Sequence, residues 1–258
     1  MPRKIVLHAG FHKTGTSTIQ QCLRANRKAL MPALAIRLKG QMQDLMHATR
    51  GYSTWRDPLT LAKVARRFDA LLADLPEMSK RTLVLSGEEL SGHMPGRGSL
   101  ADYSAAVDLA QLYSDVIKAR FPGVPVAFLY STRSAASWLE SAYWEHVKSA
   151  SMTLGFDEFA DAYGHGANLP AIAAQVNAAV GHPVQTATFE DGGDPVTALL
   201  DLCDVPTPLR SHLSQVAASN TRLPRDVLLE LLAANRAYPD RAQRKAAKQD
   251  ILTRMQTS

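Results

Sequence analysis

The sequence predicts an α/β fold of three layers, α/β/α, with helices on both sides of a mainly parallel central sheet, and three observations carry that prediction. Short apolar runs of strand length recur at residues 5–7, 82–85, 125–130 and 183–189. Stretches with helical spacing of apolar positions separate them, as crossovers between parallel strands require. The chain has 258 residues, 46% hydrophobic and 21% charged, an ordinary globular composition and enough chain for one sizeable core. Residues 1–258 therefore read as a single domain, with a helical C-terminal segment from about residue 207.

The first element is the apolar run Ile5-Val6-Leu7, typical of a buried parallel strand, which the Gly-containing segment 10–15 ends abruptly. After Gly15 the pattern turns helical, with Ile19 and Leu23 four apart. A strand thus feeds a loop that ends at a helix N-terminus. Such a junction suits an anion, because unpaired N–H groups converge there and the helix dipole adds partial positive charge. Gly10 and Gly15 permit close backbone approach to a phosphate, while Thr14, Thr16, Ser17 and Thr18 offer hydroxyl donors.

The loop is P-loop-like in that Gly10 and Gly15 have the Walker spacing and Ser17 stands at the Ser/Thr position. The lysine expected directly after the second glycine is Thr16, however, and Lys13 lies inside the loop instead. That arrangement, HAGFHKTGTSTIQ, resembles the 5′-phosphosulfate loop of sulfotransferases that use 3′-phosphoadenosine-5′-phosphosulfate (PAPS), in particular the bacterial branch with a His-Lys-Thr-Gly-Thr loop. The resemblance implies that His12, Lys13, Thr14, Gly15, Thr16, Ser17 and Thr18 hold the donor. It also implies that Lys13 touches the oxygen bridging phosphorus and sulfur.

The first helix is expected to end before Pro32. Residues 33–58 show no decisive period; Tyr52 and Trp55 beside Arg50 and Arg56 suit a loop or short helix over a cleft, or a surface connection with aromatic anchors. Residues 59–75 form an amphipathic helix closed by Pro76. The run TLVL at 82–85 reads as the second strand, followed by Ser86-Gly87-Glu88-Glu89. Carboxylates just beyond a parallel strand are candidates for chemistry, and equally for first-turn acids at a helix dipole. Related bacterial sequences carry Ser-x-Glu at this strand end, so the resemblance singles out Glu88. His93 follows in a Gly/Pro-rich stretch that is either a lid or simply a loop.

Residues 103–120 form a further amphipathic helix, 125–130 the third strand, and the segment from Ser134 another helix. Arg133 thereby stands at a strand end beside a helix N-terminus, with Ser141 eight residues on, a little over two turns. An Arg at this place followed by that Ser resembles the grip on the 3′-phosphate of PAPS. Residues 183–189 form the fourth strand, ending in Glu190-Asp191, both read as structural, and a helix begins at Asp194-Pro195. In the tail Val227, Leu228, Leu231 and Leu232 give one apolar face. The family closes a basic C-terminal segment over the nucleotide; its Arg-Lys-Gly signature is absent, and Arg222 is the candidate for that role.

Net charge is +5, and residues 1–43 hold eight Lys or Arg and no acid. An anionic small molecule accounts for this better than nucleic acid, since no aromatic-basic recognition motif accompanies the charge. Cys22 and Cys203 read as buried hydrophobes in a reducing compartment, not as a disulfide or metal pair. No apolar run approaches a transmembrane length and no secretory signal precedes the first strand, so the expected location is the cytoplasm.

These readings converge on an expected activity: sulfuryl transfer from PAPS to the hydroxyl or amine of a small molecule, glycan or lipid headgroup, without a metal. Lys13 then stabilises the leaving phosphate, Arg133 and Ser141 fix the donor, and Glu88 is the base, provided its cleft raises its pKa. His8 and His12 compete for that last role because imidazole titrates nearer neutrality. The rival enzyme class, a P-loop kinase, needs a lysine after Gly15 and a metal-binding Asp after the second strand, and shows neither. A non-catalytic nucleotide-binding module is the third reading.

Overall fold

The computed structural model describes residues 1–188, 190, 194–215 and 223–257. Five strands, β1 Lys4–His8, β2 Leu34–Leu38, β3 Thr82–Ser86, β4 Val126–Thr132 and β5 Val184–Thr188, form one sheet in the order β2-β3-β1-β4-β5. Every pairing is parallel. The α/β/α class predicted from the alternating pattern is the observed one. β1 lies at the centre, with His8 in register with Ser86 of β3 on one side and Leu129 of β4 on the other.

Two helical layers cover the sheet because successive strand residues point to opposite faces. Ile5, Leu7, Leu83, Leu85, Phe128 and Tyr130 face one core. It is closed by α3 Gln43–Trp55, α4 Pro58–Ala73, α5 Ala105–Arg120, α6 Ala135–Ser149, α7 Phe156–Tyr163, α8 Leu169–Val180, α11 Arg225–Ala237 and α12 Arg241–Thr257. Val6, Val84, Ile36 and Leu129 face the other, under α1 Thr16–Ala25, α2 Arg27–Leu30, α9 Pro195–Leu202 and α10 Thr207–Arg210. Burial on both faces explains why β1, β3 and β4 read as apolar runs with no alternation, whereas the edge strand β5 is partly exposed and carries Gln185, Thr186 and Thr188.

β2 corrects the reading of residues 33–58 as loop or short helix. Leu34, Ala35, Ile36 and Leu38 are buried in an edge strand, a short 3₁₀ turn Lys39–Gln41 follows, and α3 occupies most of the remainder. The TLVL strand is therefore third in the chain. Helix starts follow local chemistry: Asp57 and Asp194 accept from N–H groups of the first turns of α4 and α9, each of which has proline at its start. Cys22 and Cys203 are free and buried, and burial pushes the Cys203 thiol up to about 12. Among the described residues no helix is long and apolar enough to cross a membrane.

Candidate functional site

Parallel strands deliver their carboxyl ends to one edge of the sheet, where a ligand crevice forms. At the end of β1 the buried His8 places Nδ1 2.8 Å from the Ser86 hydroxyl and Nε2 3.2 Å from the Ser131 hydroxyl. One imidazole thus ties together the ends of β3, β1 and β4. Burial lowers its pKa to about 4, against the opposing pull of Glu88. With both nitrogens engaged, His8 braces the strand ends. Gly10 is needed just beyond, since a Cβ there would meet Thr16 at 2.7 Å and both the His8 ring and the Ser131 hydroxyl at 3.0 Å.

The loop that follows is held by its carbonyls and by one aromatic anchor. Phe11 is buried against Tyr103 and Tyr130, with ring centroids 4.7 and 5.3 Å away. The Ser91 hydroxyl donates to the Ala9 carbonyl, Thr14 to the Phe11 carbonyl (2.6 Å), Trp138 Nε1 to the His12 carbonyl (2.9 Å) and Arg133 Nη1 to the Lys13 carbonyl (3.1 Å). Lys13 takes φ 65° and Gly15 φ 85°, so the chain turns through two left-handed residues before α1. With the carbonyls turned outward, the N–H groups of residues 13–17 donate to no acceptor among the described residues. Five donors at a helix start form an anion cradle. Thr14 has spent its hydroxyl inward, so it offers a ligand its N–H; Thr16 is buried, and Ser17 and Thr18 are half-buried at the mouth.

A second anion-compatible position lies beside the first. Arg133, one residue past β4, donates from Nε to Ser137 at 2.6 Å, and the same nitrogen is 3.5 Å from the Glu190 carboxylate. Glu190 also accepts from the Ser134 N–H (3.1 and 3.2 Å) and hydroxyl (3.1 Å) at the start of α6. A carboxylate therefore sits where the guanidinium and the helix N-terminus converge. Burial raises the Glu190 pKa, but the Ser134 and Ser137 hydrogen bonds hold it below the usual range. Sequence reasoning treated Glu190 as structural and missed Ser137, which takes the hydrogen bond nearest Arg133. Ser141 is half-buried on α6, and the spacing Ser137, Ser141, Glu145 sets all three on one face of the helix. That face meets the loop, because Lys13 Nζ reaches Glu145 at 3.1 Å. Lys148 pairs with the same carboxylate at 3.2 Å. Burial opposes ionisation of Glu145, yet Lys13 and Lys148 together hold its pKa at about 2.

Glu88 opens the 3₁₀ turn Glu88–Ser91 after β3. It accepts from Gln20 of α1 at 2.9 Å and lies 3.7 Å from the Lys39 ammonium. Burial raises its pKa, but His12, a backbone N–H, Lys39 and Gln20 outweigh that, and the carboxyl ends below its ordinary value. The cleft thus does not supply the raised pKa that a strong base would need. Glu89 is 2% exposed and pairs with Lys39 and, at 3.4 Å, with Arg50. Glu89 thus belongs to an internal ion cluster and, like Glu88, lies in the first turn of that short 3₁₀ helix. The His93 ring is 6.3 Å from that of His12. Its segment is a packed wall: Met94 is buried, and the Pro95 carbonyl is 2.7 Å from His146 Nε2 of α6.

One ligand atom each of His12, Glu88 and Glu89 lie within 4.8 Å of one another, the geometry of a possible cation site. Lys39 bridges the two carboxylates and so already places a positive charge between them. Arg222 and Asp191 lie outside the described residues. The structure brings Lys13, the cradle, Arg133 and the Ser141 face to one edge, with Glu88 and His12 on its β3 side. Tyr103, Trp138 and Ser137, which carry no motif signal in the sequence, complete it together with Glu190, expected from the sequence to be structural. No protein-family model and no curated protein matches the chain.

Proposed function

We propose that this protein transfers a sulfuryl group from PAPS to an acceptor hydroxyl or amine and releases adenosine 3′,5′-bisphosphate. The observation that carries the reading is the pairing of two anion positions. The N–H cradle of residues 13–17 and the Arg133–Ser134–Ser137 corner are joined by the Arg133 hydrogen bond to the Lys13 carbonyl. A nucleotide with phosphates on both its 5′ and 3′ oxygens matches such a pair, whereas ATP carries all its phosphates on one.

In the reaction the acceptor oxygen forms a bond to sulfur as the bond from sulfur to the bridging oxygen breaks, and the electron pair of that bond stays on the departing phosphate. The loop N–H groups meet that charge, and Lys13 adds to it when its ammonium swings from Glu145 to the bridging oxygen. Glu88 is ionised at neutral pH. It orients the acceptor hydroxyl and takes its proton as bonding to sulfur acidifies it. Glu190 leaves the Arg133 corner when the 3′-phosphate enters. The acceptor is a small molecule, glycan or lipid headgroup, and the setting is the cytoplasm.

Calorimetry with adenosine 3′,5′-bisphosphate and with ATP, each with and without magnesium, tests the reading. The bisphosphate should bind much the tighter and without magnesium. Tighter, magnesium-dependent ATP binding would overturn the proposal in favour of a P-loop phosphotransferase holding its cation at His12, Glu88 and Glu89.

A further inference from the structure

We infer that Tyr103 fixes His12 as the tautomer with hydrogen on Nε2, making His12 a hydrogen-bond donor to the cleft and Tyr103 the residue that positions it. The catalytic meaning of this assignment rests on the sulfuryl-transfer reading; the assignment itself rests on hydrogen-bond arithmetic. Tyr103 stands in the turn before α5, 1% exposed, with its ring packed on Phe11 and Trp138. Its oxygen is 3.1 Å from the His12 backbone nitrogen and 3.0 Å from His12 Nδ1. A phenol has one hydrogen and two lone pairs. The backbone N–H can only donate, which occupies one lone pair.

Two arrangements remain for the contact with Nδ1. If Nδ1 carries a hydrogen, it fills the second lone pair, and the phenolic hydrogen is stranded in an aromatic pocket with no other acceptor among the described residues. If the phenol donates to Nδ1, every group is satisfied and the ring hydrogen lies on Nε2. The surroundings favour the same state. The charged and titratable groups acting on His12 are Glu88, His93, Lys39 and Arg97. Glu88 is the one anion among these four, and its charge favours a hydrogen over a lone pair on the ring nitrogen left open to the cleft. Burial keeps the imidazole neutral, with a pKa of about 3. His12 thus turns its one ring hydrogen to the cleft, where an oxygen of the sulfuryl group or acceptor can accept it. It has no free nitrogen with which to act as the base.

The test is long-range ¹H–¹⁵N spectroscopy of the histidine rings in the full ¹⁵N-labelled chain, with the His12 signals assigned by their loss in His12→Gln. A single Nε2–H pattern in the wild type, giving way to a mixture in Tyr103→Phe, is expected. An Nδ1–H pattern in the wild type overturns the inference, as does an unchanged pattern in a folded Tyr103→Phe. If that variant does not fold, the wild-type spectrum decides alone. Titrating the same sample with adenosine 3′,5′-bisphosphate separates the two proposals: an Nε2–H pattern without nucleotide binding upholds the tautomer and overturns only sulfuryl transfer.

Discussion

Replacing Lys13 by Ala separates donor activation from donor binding, and the structure sets the size of each effect. The ammonium holds one partly exposed partner, Glu145, with the two side chains 28% and 22% exposed. Such a pair contributes about 0.5–1 kcal/mol to stability. The left-handed backbone at φ 65° is equally strained with Lys or Ala, because both have a Cβ. The fold should therefore lose no more than about 1 kcal/mol. The desulfated nucleotide keeps the N–H cradle and the Arg133 corner, so its affinity should fall less than about tenfold, or 1.4 kcal/mol. Turnover should fall much further. A charged donor that meets the bridging oxygen only as its bond breaks resembles a lost oxyanion-hole donor, worth about 3–4 kcal/mol or roughly 10²–10³ in rate. The assay pairs calorimetry on adenosine 3′,5′-bisphosphate with sulfuryl transfer from radiolabelled PAPS to polarity-fractionated cell extract. Equal losses of affinity and turnover would refute the division of labour. Lys13→Gly is the control for folding: relief of about 1 kcal/mol of left-handed strain offsets the lost ion pair, so it should melt no lower than Lys13→Ala.

Arg133→Ala should weaken binding of the 3′,5′-bisphosphate by about 1.5–3 kcal/mol and affect adenosine 5′-phosphate much less; an equal loss for both would mean that Arg133 acts by holding the Lys13 carbonyl. Glu88→Gln keeps an oxygen for the Gln20 amide, so nucleotide affinity should hold while transfer to a hydroxyl disappears, and near-normal turnover would move the base elsewhere. Because Glu88 lies below its ordinary value and His12 titrates at about 3, the rate of transfer should carry no limb from either group between about pH 6 and 8. A rising limb near the ordinary histidine pKa would point to an imidazole base. Burial holds His8, His93 and His146 at about 4 and His12 at about 3 in the folded chain, against about 6.5 when unfolded. Their contribution is complete above about pH 6.5 and is lost toward pH 4, as the unfolded chain binds the more protons, by up to about 1.4 kcal/mol per pH unit for each histidine. Urea midpoints at three pH values across that range measure this, and a flat profile would show the imidazoles to be solvated.

Elements whose signal is local were legible before the structure. Ile5-Val6-Leu7 running into Gly10, Lys13 and Gly15 announces a strand, a turn and a helix N-terminus within fifteen residues, and the observed β1, loop and α1 follow it. The strands at 82–86, 126–132 and 184–188 were legible for the same reason. β2 was not: four buried apolar residues with no alternation have no period to separate a strand from a stretch of buried helix, and the half-buried Arg37 interrupts even the apolar run. Lys13 in the loop after β1, and Arg133 and Glu88 just past strand ends, were visible in the sequence, but their partners were not. Tyr103 lies 91 residues from His12, Trp138 126 from it, and Glu190 56 from Ser134. Which of these meet depends on the order β2-β3-β1-β4-β5, a property of how the crossovers pack and of no single segment. The order brings β3 and β4 to either side of β1, so the turns after them converge on the loop. The sequence by itself determined that a strand, a tight turn and a helix N-terminus follow one another here and that Lys13 lies in the turn. Tertiary structure alone decided that Glu145 holds that lysine, that Glu190 lies between Arg133 and the start of α6, and that the Glu88 carboxyl stays below its ordinary value, because each follows from side chains brought together across the sheet edge.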